Sequence, residues 1–217
     1  DDGIDAENIV VQRHRTALTR YNLSAPMQLL ERFGFLNQEK TVFDYGCGKG
    51  DDVRNLKANA ITANGWDPHF APLEEKIESD IVNLGFVINV IENINERRQA
   101  LSNAYQLATE LLVVSAMIYN QNSFKGRQFE DGVLTSRHTF QKYFTQSELK
   151  EFIDHTLSAD AIAVGVGIFF VFKDADAEQK FQSGRQRSRS KLIRLVERQK
   201  TIEPPSKREE RYQERLA

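Results

Sequence analysis

A series of glycines constrains the fold of this chain more than any other feature. The β-prone residues 41–45 are followed by a glycine at every second position of residues 46–50. Residues 51–60 then have the pattern of a helix, and residues 63–66 that of a second short strand. A strand, a glycine turn, a helix and a strand in this order predict the first unit of a parallel α/β sheet.

The remainder of the chain continues this pattern. Residues 80–85 and 111–117 predict two buried strands. Residues 95–110 predict an amphipathic helix between them, whose exposed face carries Arg97, Arg98 and Glu110. Two runs at 161–166 and 168–173 are joined so tightly that they predict an antiparallel hairpin. We therefore expect an α/β sheet that this hairpin closes.

Shorter signals divide the chain into parts. Apolar spacing at Ile9, Val10 and Leu18 predicts a first helix, and Thr145 with Glu148 predicts a capping box. The polar stretch 119–143 is too long for an ordinary connection, so we expect a functional or disordered loop. Residues 183–190 predict a flexible basic linker. The expected parts are a helical cap (1–38), a ligand-binding domain (39–175) and a basic linker with a helical tail (176–217).

The charge of the chain is distributed unevenly. Its formal net charge is −2, yet residues 184–217 hold eleven basic residues against five glutamates. An acidic body with a basic tail suits contact with nucleic acid or self-association. A solvated, charged terminal helix explains the same pattern equally well.

Composition excludes several kinds of protein. The only cysteine, Cys47, excludes a disulfide framework and a multi-cysteine zinc site, which favours a reducing, cytoplasmic location. The four histidines are far apart and show no metal-ligand spacing. No apolar run reaches the roughly 18 residues of a membrane span, so we expect no membrane contact. Because the first residue is not methionine, we expect a fragment of a longer protein.

The residues around the glycines indicate what the turn binds. Glycine allows a close approach to a ligand, and the following helix offers free N–H groups. A dinucleotide fingerprint needs a glycine where Asp51 stands, and an acid there would repel a pyrophosphate. Asp44 suits an ammonium group, whereas Asp67 suits ribose hydroxyls. A ligand with an amino-acid end, a ribose and no phosphate is S-adenosylmethionine, and its predicted contacts are Asp44, Gly46, Cys47, Gly48, Gly50, Trp66, Asp67 and Pro68. The alternative is a tight turn that merely caps a helix.

These motifs resemble those of a known family. Residues 44–50, Asp67 and residues 80–92 are similar to the class I S-adenosylmethionine-dependent methyltransferases. More closely, the chain resembles the DNA phosphorothioation-associated methyltransferases, through residues 13–20, 43–54, 65–68, 82–92, 132–135 and 139–145. The resemblance implies a doubly wound, Rossmann-like methyltransferase sheet and possible protein partners from a bacterial DNA-modification system.

One spacing departs from the general methyltransferase pattern. Only twelve residues separate Asp67 from Asp80, where that pattern has a helix, a third strand and another helix. We therefore predict that the third strand is missing or reduced, together with the usual acidic contact to adenine. Backbone groups around residues 80–86, which include Leu84 and Gly85, and side chains near His69 and Phe70 are expected to hold the adenine instead. Asn89 is expected either to touch the cofactor or to cap a helix.

The sequence contains fewer signals for the methyl acceptor than for the cofactor. Residues 83–86 lack the prolines of amino-group DNA methyltransferases, and Cys47 lies in the cofactor turn rather than at a nucleophile position. The candidate catalytic residues are His14, Arg15, Tyr21 and His138, and His14 with His138 would supply a general base only if the fold joins them. We expect a methyltransferase that acts on nucleic acid, DNA in particular, through the basic tail. The alternatives are methylation of a small molecule or protein, and a catalytically silent cofactor-binding scaffold.

Overall fold

The computed structural model describes residues 11–17, 19, 21–120, 123 and 126–202, with side chains described up to residue 188. The chain divides into two compact units, residues 1–173 and residues 174–217. The described part of the second unit is one helix, α5 (Ala175–Ile202).

A six-stranded sheet forms the centre of the first unit. Its strands are β1 (Thr41–Tyr45), β2 (Thr62–Trp66), β3 (Ser79–Gly85), β4 (Ala108–Ser115), β8 (Ile162–Gly165) and β9 (Ile168–Phe172). They lie in the order β2-β1-β3-β4-β9-β8. Strands β1 to β4 are parallel, whereas β9 runs antiparallel to both β4 and β8. The predicted parallel α/β sheet and its closing hairpin are therefore confirmed.

Alternating side chains give the sheet two apolar faces, because successive residues of a strand point to opposite sides. One face carries Phe43, Val82 and Leu112 and packs against two helices, α3 (Ile94–Leu107) and α4 (Gln146–Leu157). On the other face, Phe170 packs edge-on against Phe33 and Phe35, which follow α1 (Ala25–Arg32). With α2 (Asp51–Ala58) following the glycine turn, the helices cover the sheet on both sides.

Helix α4 begins with the predicted capping box. The Thr145 hydroxyl accepts from the Glu148 backbone N–H at 3.1 Å, and the Glu148 carboxylate accepts from the Thr145 N–H at 3.2 Å. These two bonds satisfy donors that a helix start otherwise leaves unpaired. The box therefore fixes where the chain enters α4.

Among the described residues, the sheet ends at β2 and no third strand lies beyond it. Residues 67–78 form turns and one isolated bridge between Asp67 and Ala71. This agrees with the short spacing between Asp67 and Asp80. The edge of the sheet beside the glycine turn is consequently bordered by turns.

The long polar stretch is more ordered than we expected. Its described residues form a second, antiparallel sheet of three short strands, β5 (Arg127–Phe129), β6 (Gly132–Leu134) and β7 (Phe140–Gln141). Arg97, predicted to be exposed, is only 1% exposed because its guanidinium binds Asp131 of this sheet. A buried ion pair across two elements has no local sequence signal.

Two predictions near the chain ends were wrong or fall outside the described residues. The predicted flexible linker 183–190 is part of α5, because its arginines and polar residues are compatible with a helix and only Gly184 disfavours one. Ile9, Val10 and Leu18 of the predicted first helix lie outside the described residues, and Arg13–Thr16 forms a 3-10 helix. Within the part of the chain that the structure describes, no helix is long and apolar enough to cross a membrane.

Candidate functional site

The glycine turn packs tightly against the end of β2. The backbone N–H groups of Gly46 and Cys47 both donate to the Trp66 carbonyl, at 2.7 and 3.0 Å. Gly46 has a φ of +85°, and a Cβ at this position would lie 2.4 Å from a methyl carbon of Val87. Only glycine combines this backbone conformation with this close approach. The turn is thereby held at the carboxyl edge of the parallel strands.

A cavity of about 830 Å³ opens at this edge. Its walls come from the glycine turn, the ends of β2 and β3, the exposed side of α3 and the N-terminal segment, defined here as residues 11–17 and 19. This volume lies within the range of about 300–1,000 Å³ that is usual for small-molecule sites. A cavity of ligand size thus coincides with the glycine motif.

Carboxylates dominate the polar lining of the cavity. Among the described residues there are six of them, against two permanent cations, Arg13 and Lys49. Asp44, Asp51 and Asp52 are buried; Asp51 pairs with Arg54, and Asp52 accepts from the Ser24 N–H at 2.7 Å. An excess of negative charge in a partly enclosed site attracts a cationic ligand. The six carboxylates are Asp44, Asp51, Asp52, Asp67, Glu92 and Glu96.

Three backbone groups orient the Asp67 carboxylate. Its Oδ2 accepts from the Gly48 N–H at 3.0 Å, and its Oδ1 accepts from the N–H groups of His69 and Phe70 at 2.8 and 2.9 Å. An ionised carboxylate has about four acceptor positions. One position therefore remains for a hydroxyl of a ligand.

Cys47 lies in the same wall but has little nucleophilic character. Burial, then the negative charges of Asp44 and Asp67, raise the pKa of the Cys47 thiol to about 12. The thiolate is the reactive form of cysteine. The thiol therefore stays protonated near neutral pH, and Cys47 acts as a wall residue.

The N-terminal segment is tied to three sides of the cavity. Arg13 binds Glu92 through two hydrogen bonds of 2.9 and 2.8 Å and reaches Glu96 at 2.8 Å. The rings of His14 and His69 stack with centroids 4.1 Å apart. On the third side, the Lys49 ammonium donates to the Thr19 hydroxyl at 3.0 Å. The segment forms one wall of the cavity.

Nine of the predicted site residues line this cavity together. They are His14, Asp44, Gly46, Cys47, Gly48, Trp66, Asp67, Pro68 and Gly85. Trp66 also lies under the Lys76 ammonium, which is 3.7 Å from its ring centroid. His69 and Phe70, expected near the adenine, are part of the same lining. The fold thus gathers residues from four separate stretches of the sequence.

The other predicted contacts do not belong to the described lining, which leaves their roles as predictions. Gly50 caps α2, and Leu84 is fully buried in the core. Asn89 is buried in a turn, and its expected place at a helix start was wrong because α3 begins only at Ile94. All three residues are direct neighbours in sequence of residues that line the cavity.

Of the predicted catalytic residues, only His14 lines the cavity. Tyr21 is 92% exposed, and the exposed Arg15 guanidinium donates to the Arg137 carbonyl at 3.4 Å. The His138 carbonyl accepts from the Gln12 N–H at 2.7 Å, while His14 stacks on His69. The ring contact that the structure gives His14 is the stack with His69, so among the described residues no contact between the His14 and His138 side chains meets the condition for a general base formed by the two.

Sequence reasoning missed several residues of the lining. Asn83 lies near the end of β3 and Phe86 directly follows that strand; Phe86 has a φ of +58°, which is unusual for a bulky residue. Glu92 and Arg13 are 79 positions apart. The one sequence signal for Asn83 was that it is a polar residue inside an apolar run. The local sequence around Arg13, Phe86 and Glu92 gave no signal that they line a cavity. No group of acidic, histidine or cysteine side chains among the described residues could hold a metal ion.

No protein-family model and no curated protein matches this sequence. Among solved structures, the chain is similar to the CcbJ methyltransferase from Streptomyces caelestis, with 11% identity and a TM-score of 0.48, over 73% of this chain and 93% of that one. A SAM-dependent methyltransferase from Aquifex aeolicus has 17% identity and a TM-score of 0.46, over 69% and 89%. Magnesium protoporphyrin IX methyltransferase from Synechocystis PCC 6803, with bound SAM, has 12% identity and a TM-score of 0.45, over 69% and 79%. These three TM-scores are below 0.5, so the fold is defined here by the strand order and register of the sheet.

Proposed function

We propose that this chain is an S-adenosylmethionine-dependent methyltransferase. One observation carries the proposal: two oriented acids, Asp44 and Asp67, lie at the ends of neighbouring parallel strands and line the same cavity beside the glycine turn. In open parallel sheets, ligands bind outside the carboxyl ends of the strands. Two acids placed there suit a ligand with an ammonium group and a ribose.

The residues present fit this cofactor. S-adenosylmethionine carries an ammonium and a sulfonium and no phosphate, and the lining has six carboxylates against two cations. Asp44 would hold the ammonium group, and the remaining acceptor position of Asp67 would hold a ribose hydroxyl. His69 and Phe70 offer ring surfaces for the adenine. When bound, the cofactor supplies an electrophilic methyl group on sulfur.

The chain's own residues position and enclose the reactants. Bringing the acceptor and the methyl donor together is the main requirement of this displacement, so no nucleophilic side chain is needed. The N-terminal segment forms the wall that limits access of water to the cavity. His14 is the predicted catalytic residue best placed to take a proton from an acceptor that must lose one.

For the acceptor, our first proposal is nucleic acid, in particular DNA of a bacterial modification or defence system in the cytoplasm. Its support is the eleven basic residues of 184–217, part of which lie on α5, and the sequence resemblance described above. If this tail binds phosphates, the logarithm of affinity should fall with the logarithm of salt concentration, by about 0.9 per phosphate contact. Replacing Arg185, Arg187 and Arg189 by glutamine in the full chain should reduce that slope. An unchanged slope would remove the tail from the proposal.

The second proposal is a small amine or an amino group of a protein. The cavity itself favours it, because its excess of carboxylates suits a cationic acceptor better than a phosphate-bearing one. Transfer of a radiolabelled methyl group to DNA, RNA, protein and small amines separates the two proposals. Tight cofactor binding without repeated turnover on any acceptor would instead support a scaffold.

Calorimetric titration with S-adenosylmethionine tests the cofactor. We expect micromolar binding to the full chain and a loss of about tenfold or more in the Asp67→Ala variant, since hydrogen bonds to a charged group are lost. Asp80→Ala is the matched control, because its carboxylate also accepts a backbone N–H, at 2.7 Å from Thr41, but lies outside the cavity lining. A folded chain that binds no cofactor would overturn the proposed function.

A further inference from the structure

A buried pair of polar side chains joins β1 to β3 at the cavity. Asp44 and Asn83 are register partners in the parallel sheet. The Asn83 Nδ2 donates to the Asp44 Oδ1 at 2.9 Å, and the two residues are only 2% and 5% exposed. Both belong to the cavity lining. The amide thus fixes the acid that ends the first strand.

The sequence leaves room for this amide at Gly85. Residues two apart on a strand share a face, so Gly85 stands beside Asn83. A Cβ at Gly85 would lie 2.8 Å from the Asn83 Nδ2 and 3.3 Å from its Oδ1. The φ of Gly85 is outside the left-handed region, so space rather than backbone conformation requires glycine here.

If Asn83 served packing alone, its buried amide would destabilise the fold. Among the described residues, the Asn83 Oδ1 has no hydrogen-bond partner, although it is buried. A buried, unpartnered amide oxygen destabilises a fold, and leucine, of similar size, would fill the same space without that cost. The contact of Nδ2 with the Asp44 carboxylate is what only the amide provides.

We propose that Asn83 is a positioning residue that fixes the Asp44 carboxylate for the ammonium group of the ligand, and that Gly85 provides the space for it. This inference depends on the proposed function, since it assigns a role to the acid that would hold the amino-acid end of the cofactor. The proposed role of Asn83 is exerted through Asp44, because its Nδ2 donates to the Asp44 carboxylate.

Two ligands that differ only at the amino-acid end test the proposal. S-adenosylhomocysteine has the ammonium and carboxylate groups, whereas 5′-methylthioadenosine has the same nucleoside and a thioether without them. In the full chain, Asn83→Leu should weaken binding of S-adenosylhomocysteine by about tenfold and leave that of 5′-methylthioadenosine within about twofold. Ser115→Ala is the matched control, because this buried hydroxyl on β4 also lacks a partner among the described residues but is not in the lining. It should change neither affinity.

A second variant covers the case that Asn83→Leu does not fold. Asn83→Ala removes the amide without adding volume, and it should reproduce the selective loss. Equal weakening of both ligands, or wild-type affinity for both in a folded variant, would overturn the role of Asn83 while leaving the proposed function intact. If the unsubstituted chain binds neither ligand, the proposed function itself fails.

Discussion

Two regions of this fold depend on an arginine that binds carboxylates, and their charge balance differs. Around the second sheet, Arg97 and Lys142 face Asp131 and Glu148, so two cations meet two carboxylates. Around the cavity, six carboxylates face Arg13 and Lys49. A balanced network around two largely buried cations is typical of structural support, whereas unbalanced charge in an open cavity suits a ligand of opposite sign.

The two arginines also differ in burial. Arg97 is 1% exposed and gives three of its hydrogen bonds to Asp131 and the Ile91 carbonyl, at 2.7 to 2.9 Å. The Arg13 side chain is 36% exposed. Removing a partner from a buried charge is costly, whereas a solvated ion pair is replaced by water at little cost. We therefore expect Arg97 to determine stability and Arg13 to affect ligand exchange.

The largest expected effect is on the rate at which Cys47 is alkylated, because this rate depends on the burial and negative charge around its thiol. Because the pKa of its thiol is raised to about 12 from 9.0, first by burial and then by Asp44 and Asp67, iodoacetamide should label it slowly. At pH 8 the thiolate fraction, and hence the rate, should be about a thousandfold below that of the same cysteine in urea. Labelling rates from pH 7 to 10 measure this.

The Asp44→Asn variant separates charge from burial in that experiment. It removes one negative charge and should make labelling of Cys47 faster than in the unsubstituted chain. Equal rates for folded and unfolded chains would mean that the cavity has no such field, and the contrast with the second sheet would then disappear.

The second effect concerns stability at the second sheet. Asp131→Asn leaves the buried Arg97 charge without its carboxylate and should lower the free energy of unfolding by about 2 kcal/mol, less than for a fully buried pair because the Asp131 side chain is itself 38% exposed. Burial by itself would raise the pKa of Asp131, but the hydrogen bonds and charge of Arg97 outweigh it and lower the pKa. This contribution to stability is therefore present above the ordinary carboxylate pKa and is lost as pH falls through the lowered value.

Urea unfolding between pH 3 and 7 measures both parts of this prediction. Asp131→Asn should flatten the acid side of the stability curve. As a control, Asp160→Asn removes an exposed partner of Lys150 and should cost less than about 1 kcal/mol. If the two variants lost similar amounts of unfolding free energy, the pair with the buried Arg97 would be no more stabilising than the exposed pair of Lys150.

The smallest expected effect concerns Arg13. Arg13→Gln should change the free energy of unfolding by less than about 1 kcal/mol, since its ion pairs with Glu92 and Glu96 are partly solvated. If the proposed function holds, release of S-adenosylhomocysteine should become several times faster, because the N-terminal segment is then held less firmly over the cavity. Stopped-flow displacement measures that rate.

Arg15→Gln provides the control for this variant. Arg15 lies on the same 3-10 helix, is exposed, and donates to the Arg137 carbonyl at 3.4 Å. It should leave both stability and the release rate unchanged. Equal release rates in the Arg13 variant and the unsubstituted chain would show that the segment does not govern exchange.

Much of the fold could be predicted because its signals are local. Strand β1 coincides with the predicted run, and the capping box of α4 is formed by the two residues expected. The short interval between Asp67 and Asp80 correctly indicated a sheet without a further strand beside β2. Each of these features depends on backbone propensity or on hydrogen bonds between residues close in sequence.

Two predictions, the exposure of Arg97 and the flexible linker at 183–190, were wrong because both were based on polarity alone. Arg97 looked like a surface residue because its position on the helix is polar, and only the second sheet, 34 positions away, supplies the carboxylate that allows its burial. The linker at 183–190 looked flexible because it is polar, yet a polar sequence of arginines, glutamines and serines is compatible with a helix.

By itself, the sequence determined the glycine turn, the acids Asp44 and Asp67, and the order of strands and helices that brings both acids to one edge. The tertiary structure decided which groups meet there: Asn83 with Asp44, Arg13 with Glu92, and His14 with His69 rather than His138. Local patterns record the conformation of a segment, because backbone and neighbouring side chains fix it. Contacts between distant segments depend on how the whole core packs, and no short stretch of sequence contains that information.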